Sequence, residues 1–195
     1  MIVSTTPKKK VNYAEISKLP MARLVAFLRG INVGGRSVTK DRLQSVFRDL
    51  GFEGVDTYRQ SGNVIFEASA TEKEKAKSMI EAELRRSLGY DVAVFIRTFA
   101  DLRKVLESAP RRQNACGSSL LVTLLPSSPR PPLPLPLTIP KSTAEVVSAR
   151  GAEVFSETHG GGEGALPNPF LESKLGVKAT TRNLNVIREI VERYG

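Results

Sequence analysis

"VDTYRQSGNVIFEA", residues 55–68, decides the fold. Two runs rich in β-branched and aromatic residues, "VDTYRQ" and "NVIFEA", flank the dipeptide "SG", which predicts a β-hairpin. Upstream, "VTKDRLQSVFRDLG" (38–51) sets Leu43, Val46, Phe47 and Leu50 at helical spacing. Thr39 is placed to cap that helix, Val38 and Leu43 occupy staple positions, and Gly51 follows its end. Before it lies "RLVAFL" (23–28), short and apolar after its leading arginine, which predicts a buried strand. Downstream of the hairpin, Thr71 and Glu74 have capping-box spacing, ahead of a helix with Met79, Ile80, Leu84 and Leu88 on one face and Gly89 after it. "VAVFIR" (92–97) is a fourth strand. The order β-α-β-β-α-β predicts a ferredoxin-like split βαβ domain over residues 21–97.

The rest of the chain predicts a connecting helix and linker (98–118) and a smaller α+β domain (119–195). Thr98 caps a helix striped by Leu102, Val105 and Leu106 and stopped by Pro110. "SLLVTLL" (119–125) is a strand. "PSSPRPPLPLPLTIP" (126–140) is too proline-rich for a central strand and predicts extended chain. "AEVVSA" and "AEVFSE" are two strands around "RG". "NPFLESKLG" is a short helix with Asn168 as cap, Pro169 in the first turn and Gly176 at its end. A last helix, from about Asn183 to Tyr194, puts Leu184, Ile187, Val191 and Tyr194 on one side.

Composition narrows the class. The chain has 195 residues, 41% hydrophobic and 25% charged, the profile of a soluble globular protein. No apolar run approaches the roughly 20 residues that span a bilayer, so no membrane partner is expected. One cysteine, Cys116, excludes an internal disulfide and fits a cytoplasmic location. One histidine and one cysteine exclude a Cys/His zinc site, and no cofactor is expected. The net charge is +9, and residues 21–115 carry seventeen basic against twelve acidic side chains. That excess favours anionic ligands or polyanions such as nucleic acid. The aromatic platform of an RRM-type reader is absent, so any nucleic acid would be held by charge without sequence preference.

Three polar stretches stand out. "RGINVGGR" (29–36) leaves a strand for a helix with three glycines. One reading is a turn whose glycines take positive φ while Asn32 bonds the backbone. The other is an anion cradle, with exposed N–H groups and Arg29 or Arg36 as a fork for phosphate or carboxylate. Its spacing fits neither a Rossmann nor a P-loop fingerprint. "RQSGNV" (59–64) sets Gln60, Ser61 and Asn63 at the hairpin corner, which the fold brings near the end of the first strand. "TTRNLN" (180–185) has cap chemistry, and Arg182 and Asn183 there can equally face an anion. "HGGG" (159–162) has no accompanying GxSxG, so His159 is read as a loop residue.

Together "FLRGINVGG", "YRQSGNVIF" and "LGVKATTRNLNVIREI" resemble a widespread prokaryotic family of unknown function. That family is recognised by an LLRGINVGG opening, a QSGNV hairpin and a TTRNWNT ending. The resemblance implies a cytoplasmic α+β protein with a ferredoxin-like first domain, and it brings no activity. Its polar positions fall on Arg29, Gly30, Asn32, Gly34 and Gly35, on Gln60, Ser61, Gly62 and Asn63, and on Thr181, Arg182 and Asn183. Leu184 stands where the family usually has tryptophan, and "GGGEGALP" departs from the family's G-x-G-R-S-K-L loop. The family begins close to "LVAFLRG", so residues 1–20 are expected to be an extension outside the fold.

The functional expectation is therefore a small phosphorylated or otherwise anionic ligand held by Arg29, Asn32, Gly34, Gly35, Arg36, Gln60, Ser61, Asn63, Arg182 and Asn183. The arrangement is similar to the glycine-rich anion cradle of acylphosphatases, an analogy of fold alone. It would make the protein a metal-independent phosphate-ester or acyl-phosphate hydrolase in which Arg29 neutralises phosphate and Asn63 orients water. The alternative is nucleic-acid binding by the basic first domain.

Overall fold

A computed structural model describes residues 20–32, 37–59, 62–111, 118–159 and 167–195. The architecture is α+β, as the sequence predicts. Strands β1 (Met21–Leu28), β2 (Glu53–Thr57), β3 (Asn63–Ser69) and β4 (Val94–Thr98) form an antiparallel sheet in the order β2-β3-β1-β4. Helices α1 (Lys40–Asp49) and α2 (Lys73–Leu88) lie between β1 and β2 and between β3 and β4. β1 is apolar on both sides because both faces of this sheet are covered. Leu24, Ala26 and Leu28 pack with Leu43 and Phe47 of α1 and Ile80 and Leu84 of α2. Val25 and Phe27 face the opposite way.

A second sheet has the order β6-β7-β8-β5-β9. It contains β5 (Ser119–Leu124), β6 (Leu137–Thr138), β7 (Ala144–Arg150), β8 (Glu153–Thr158) and β9 (Thr180–Asn183). Helix α3 (Phe99–Ser108) precedes it, α4 (Pro167–Leu175) precedes β9, and α5 (Leu184–Tyr194) ends the chain. One apolar cluster joins Val25, Phe27, Ile65 and Phe95 of the first sheet to Val122 and Phe155 of the second, with Leu102 of α3 and Ile187 and Ile190 of α5. The far face of the second sheet packs Val146 and Val154 against Leu171 of α4 and Leu133 of the proline-rich segment. Proline sits there beside a two-residue edge strand, where its missing N–H removes no ladder bond.

Local capping signals hold at Thr39, Thr98 and Asn183 and fail at Thr71 and Asn168. Thr39 accepts from the Arg42 N–H, and Thr98 forms a complete capping box with Asp101. Thr71 caps nothing: β3 runs on to Ser69, a 3-10 turn follows over Ala70–Glu72, and α2 starts only at Lys73 without a side-chain cap. The Thr71 hydroxyl instead pairs with that of Ser69 at 2.9 Å. Asn168 is likewise not a cap, because α4 already begins at Pro167, whose fixed φ suits a first turn. The polar "TTRN", expected as a helix start and not as a strand, is strand β9, paired with β5 from Leu121↔Asn183 to Leu124↔Thr180.

Candidate functional site

The antiparallel register of β1 and β3 sets Phe27 opposite Asn63, so the end of β1 meets the hairpin corner as expected. Two backbone bonds fix the junction: Leu28 N–H to the Gly62 carbonyl at 2.8 Å, and Arg29 N–H to the Ala93 carbonyl at 2.9 Å. Beyond Arg29 the chain turns through Gly30 (φ 71°) and Asn32 (φ 58°). Asn32 Oδ1 accepts from the Val38 N–H at 2.7 Å, closing the loop ahead of α1. The turn chemistry read at Gly30 and Asn32 is therefore real. Gly34, Gly35, Arg36, Gln60 and Ser61 lie outside the described residues.

Arg182 is the hub. Only 9% exposed, it sends all five of its N–H groups inward. Nε donates to Asn63 Oδ1 at 2.6 Å, Nη1 to the Thr180 hydroxyl at 2.8 Å and the Thr181 carbonyl at 2.9 Å. Nη2 donates to the Leu28 carbonyl at 3.0 Å and the Gly62 carbonyl at 3.4 Å. The guanidinium also lies over the Phe27 ring, 5.6 Å from its centroid. Burial lowers its pKa to about 10, which leaves it charged at neutral pH. Asn63 is 1% exposed, and its Nδ2 donates to the Tyr58 carbonyl at 3.0 Å. One side chain thus ties the ends of all three polar stretches together.

Arg29 is engaged as well. Its Nε and Nη2 form a bidentate pair with the Glu172 carboxylate of α4 at 2.5 and 2.6 Å. Glu172 Oε1 also accepts from the Ala179 N–H at 2.7 Å. Burial opposes ionisation of Glu172, but the bonds from Arg29 and Ala179 outweigh it and hold the carboxyl below its ordinary pKa. The hydrogen bonds that Arg29 donates to Glu172 raise the Arg29 pKa in turn. Glu172 was not legible as a site residue: it sits 143 positions from Arg29 in a helix with ordinary surface charge.

These groups border a cavity of about 610 Å3, lined by Leu28–Ile31 on one side and Asn168, Pro169, Thr180–Asn183 and Val186 on the other. The first turns of α4 and α5 both reach it, through Asn168 and Val186. Asn183 caps α5 by accepting from the Asn185 N–H at 2.9 Å. Asn168 Oδ1 is buried without a hydrogen-bond partner among the described residues. The cavity therefore joins an apolar body (Leu28, Ile31, Val186) to a positive end built of two helix N-termini and a buried guanidinium.

The first two polar stretches lie in a segment, residues 21–155, that matches a known family. The chain belongs to DUF1697, described as a protein of unknown function. The third stretch of this DUF1697 chain, at 180–185, lies beyond the matched residues. No curated protein matches it. Among solved structures it is similar to the conserved bacterial protein SP0830 from Streptococcus pneumoniae, with 19% identity over 89% of this chain and 98% of that one, and a TM-score of 0.63. At that identity the likeness shows the fold alone. Among the described residues of the DUF1697 chain, no helix is long and apolar enough to cross a membrane.

Proposed function

We propose that the protein binds a small organic anion in the cavity between the β1–α1 junction and the start of α5. One observation carries this reading: pieces of the first and third polar stretches line one cavity of about 610 Å3, and both helices that reach it do so by their N-terminal turns. The volume lies within the roughly 300–1,000 Å3 of small-molecule sites and exceeds what a bare ion fills. Arg29 at the rim and the N–H groups of the α5 first turn would hold the negative group. Arg182 would act through its field, because its own N–H groups are already donated. Asn168 Oδ1 would accept from a hydroxyl or amide of the ligand. Gly34, Gly35, Arg36, Gln60 and Ser61, outside the described residues, are kept in the proposed binding set from their sequence positions alone.

Binding is the reading supported over hydrolysis. Asn63, the residue expected to orient water, is buried and bonded to Arg182 and Tyr58. The proposal takes residues 21–97 as a ferredoxin-like unit, supported by the strand order β2-β3-β1-β4, and residues 119–195 as a smaller one in the cytoplasm.

A thermal-shift panel of inorganic phosphate, sugar phosphates, nucleoside monophosphates and acyl phosphates tests it. A hundredfold excess over Kd adds about 2.7 kcal/mol, or roughly 5–10 °C for a chain of this size. The shift should weaken in Val186→Trp, which sets an indole into the cavity. Silence across the panel, or a shift untouched by Val186→Trp, rejects the site. A shift with a single-stranded oligonucleotide alone, fading with salt, replaces it by the nucleic-acid reading. Against that reading, Lys73, Lys75, Lys77, Arg85 and Arg86 of α2 each lie within 4.0 Å of a carboxylate.

A further inference from the structure

A second cleft, of about 380 Å3, opens at the opposite end of β4, between α3 and the β7–β8 turn. Four cations from four elements line it: Lys73 of α2, Arg97 of β4, Lys104 of α3 and Arg150 of β7. Two carboxylates, Asp101 and Glu153, line it too, and both are already engaged. Asp101 Oδ2 accepts from the Thr98 N–H at 2.9 Å and from Lys73 Nζ at 3.3 Å. Glu153 Oε1 accepts from Arg97 Nε at 3.0 Å. That guanidinium is held in place by the carbonyls of Ile96 at 3.1 Å and Leu125 at 3.0 Å. The two pairs make a rigid wall of cancelled charge. Lys104 and Arg150 are left over: both are exposed, and neither has an ion-pair partner among the described residues.

We infer that this cleft takes the phosphate group of a small phosphorylated molecule, with Lys104 and Arg150 as its contacts. Two uncancelled positive charges facing one cleft repel each other until an anion shares them. A phosphate ester carries about −1.5 to −2 near neutral pH, which matches the surplus. Arginine supplies a planar fork for two phosphate oxygens and lysine a mobile point charge. The volume is at the low end for a small-ligand site. A nucleic-acid strand needs a positive groove that tracks several phosphates, and here the flanking cations are cancelled by Asp101 and Glu153. The site is independent of the motif cavity, since Arg29 and Arg182 are not part of it.

Calorimetric titration with pyrophosphate tests the assignment on the full chain. The expected result is one saturable event of 1:1 stoichiometry. It should weaken about tenfold or more in Lys104→Ala/Arg150→Ala and be unchanged in Lys40→Ala/Lys174→Ala. Both substituted residues are exposed, so the double variant should keep the wild-type unfolding temperature and its loss of binding will not reflect misfolding. Absence of saturable binding overturns the proposal. So does equal weakening by Lys40→Ala/Lys174→Ala, which would reduce the effect to net charge. Loss of the event in Arg29→Ala would move it to the motif cavity. A single-stranded oligonucleotide that displaces pyrophosphate and binds more tightly would make the cleft part of a polyanion surface.

Discussion

Arg182 Nε meets Asn63 Oδ1 at 2.6 Å, a buried bond between β9 and the first residue of β3, 119 positions apart. The same guanidinium holds the Leu28 and Gly62 carbonyls, so it fastens the second sheet to the mouth of the first. Replacing Arg182 by Met should therefore lower stability by about 3–5 kcal/mol, since several buried acceptors lose a charged donor at once. Arg182→Lys should recover little, because an ammonium lacks the planar fork that reaches five acceptors. A double-mutant cycle with Asn63→Ala, read by urea unfolding, should give a coupling of about 1–3 kcal/mol. Strict additivity would mean the two residues stabilise the fold separately.

Two glycines at the junction separate backbone strain from crowding. Gly62 (φ +68°) is crowded: an added Cβ would stand 3.1 Å from the Cβ atoms of both Leu28 and Ile31. Gly30 (φ +71°) has the same conformation but, among the described residues and apart from its chain neighbours, no heavy atom within 4 Å of that position. Gly30→Ala should cost about 1–2 kcal/mol from the left-handed backbone alone. Gly62→Ala should cost clearly more, because the contact adds to the strain. Equal losses in denaturant midpoint would show that the junction relaxes freely around a methyl group.

How much of this the sequence discloses depends on the range of the interaction. Thr39 and Thr98 are legible as caps because a cap is decided within three residues. Thr71 has the same local signature and fails, because pairing of β3 with β1 extends the strand as far as Ser69. Strand β9 is hidden for a related reason: four polar residues carry no alternating pattern. Only their pairing with β5, where the Thr123 and Thr181 hydroxyls meet at 2.8 Å, makes them a strand. The approach of the Arg29 loop to the Asn63 corner is foreseeable from strand order, but the arrival of Arg182 on the hidden strand β9 is not. Nor are their partners, since an arginine reads the same whether it faces a ligand or a buried carbonyl.

Tyr194, the penultimate residue, donates its hydroxyl to Asp56 Oδ2 at 2.6 Å and stacks edge-on against Tyr58 at 6.3 Å. Burial, then the bond to Asp56, pushes the Tyr194 pKa up to about 12. The folded chain therefore keeps a proton that the unfolded chain releases near pH 10. Between pH 10 and about 12 stability should fall as pH rises. Ultraviolet titration should show one late-ionising phenol, missing in Tyr194→Phe, whose unfolding should also lose part of the alkaline slope. A tyrosine titration with every group near 10 would contradict the clamp.

The Arg29–Glu172 pair sets an acid limit. Glu172 is held below its ordinary value of 4.5, so it is ionised in the folded chain where the unfolded chain begins to bind protons. More protons on the unfolded state means that stability falls as pH drops through this window. The contribution is fully present above about pH 4.5 and is lost as pH falls through the folded value. Glu172→Gln keeps the shape but removes the charge. It should destabilise the protein at pH 7 by about 1.5–3 kcal/mol, the range for hydrogen bonds to charged groups, with partial exposure of Arg29 favouring the lower end. The gap between variant and wild type should close on acidification, while Arg29 loses only its anionic partner. Urea unfolding at pH 7 and below pH 4 decides it. A gap that stays constant across that range would show that Glu172 acts by packing, and that the Arg29 fork is no more committed to it than to solvent.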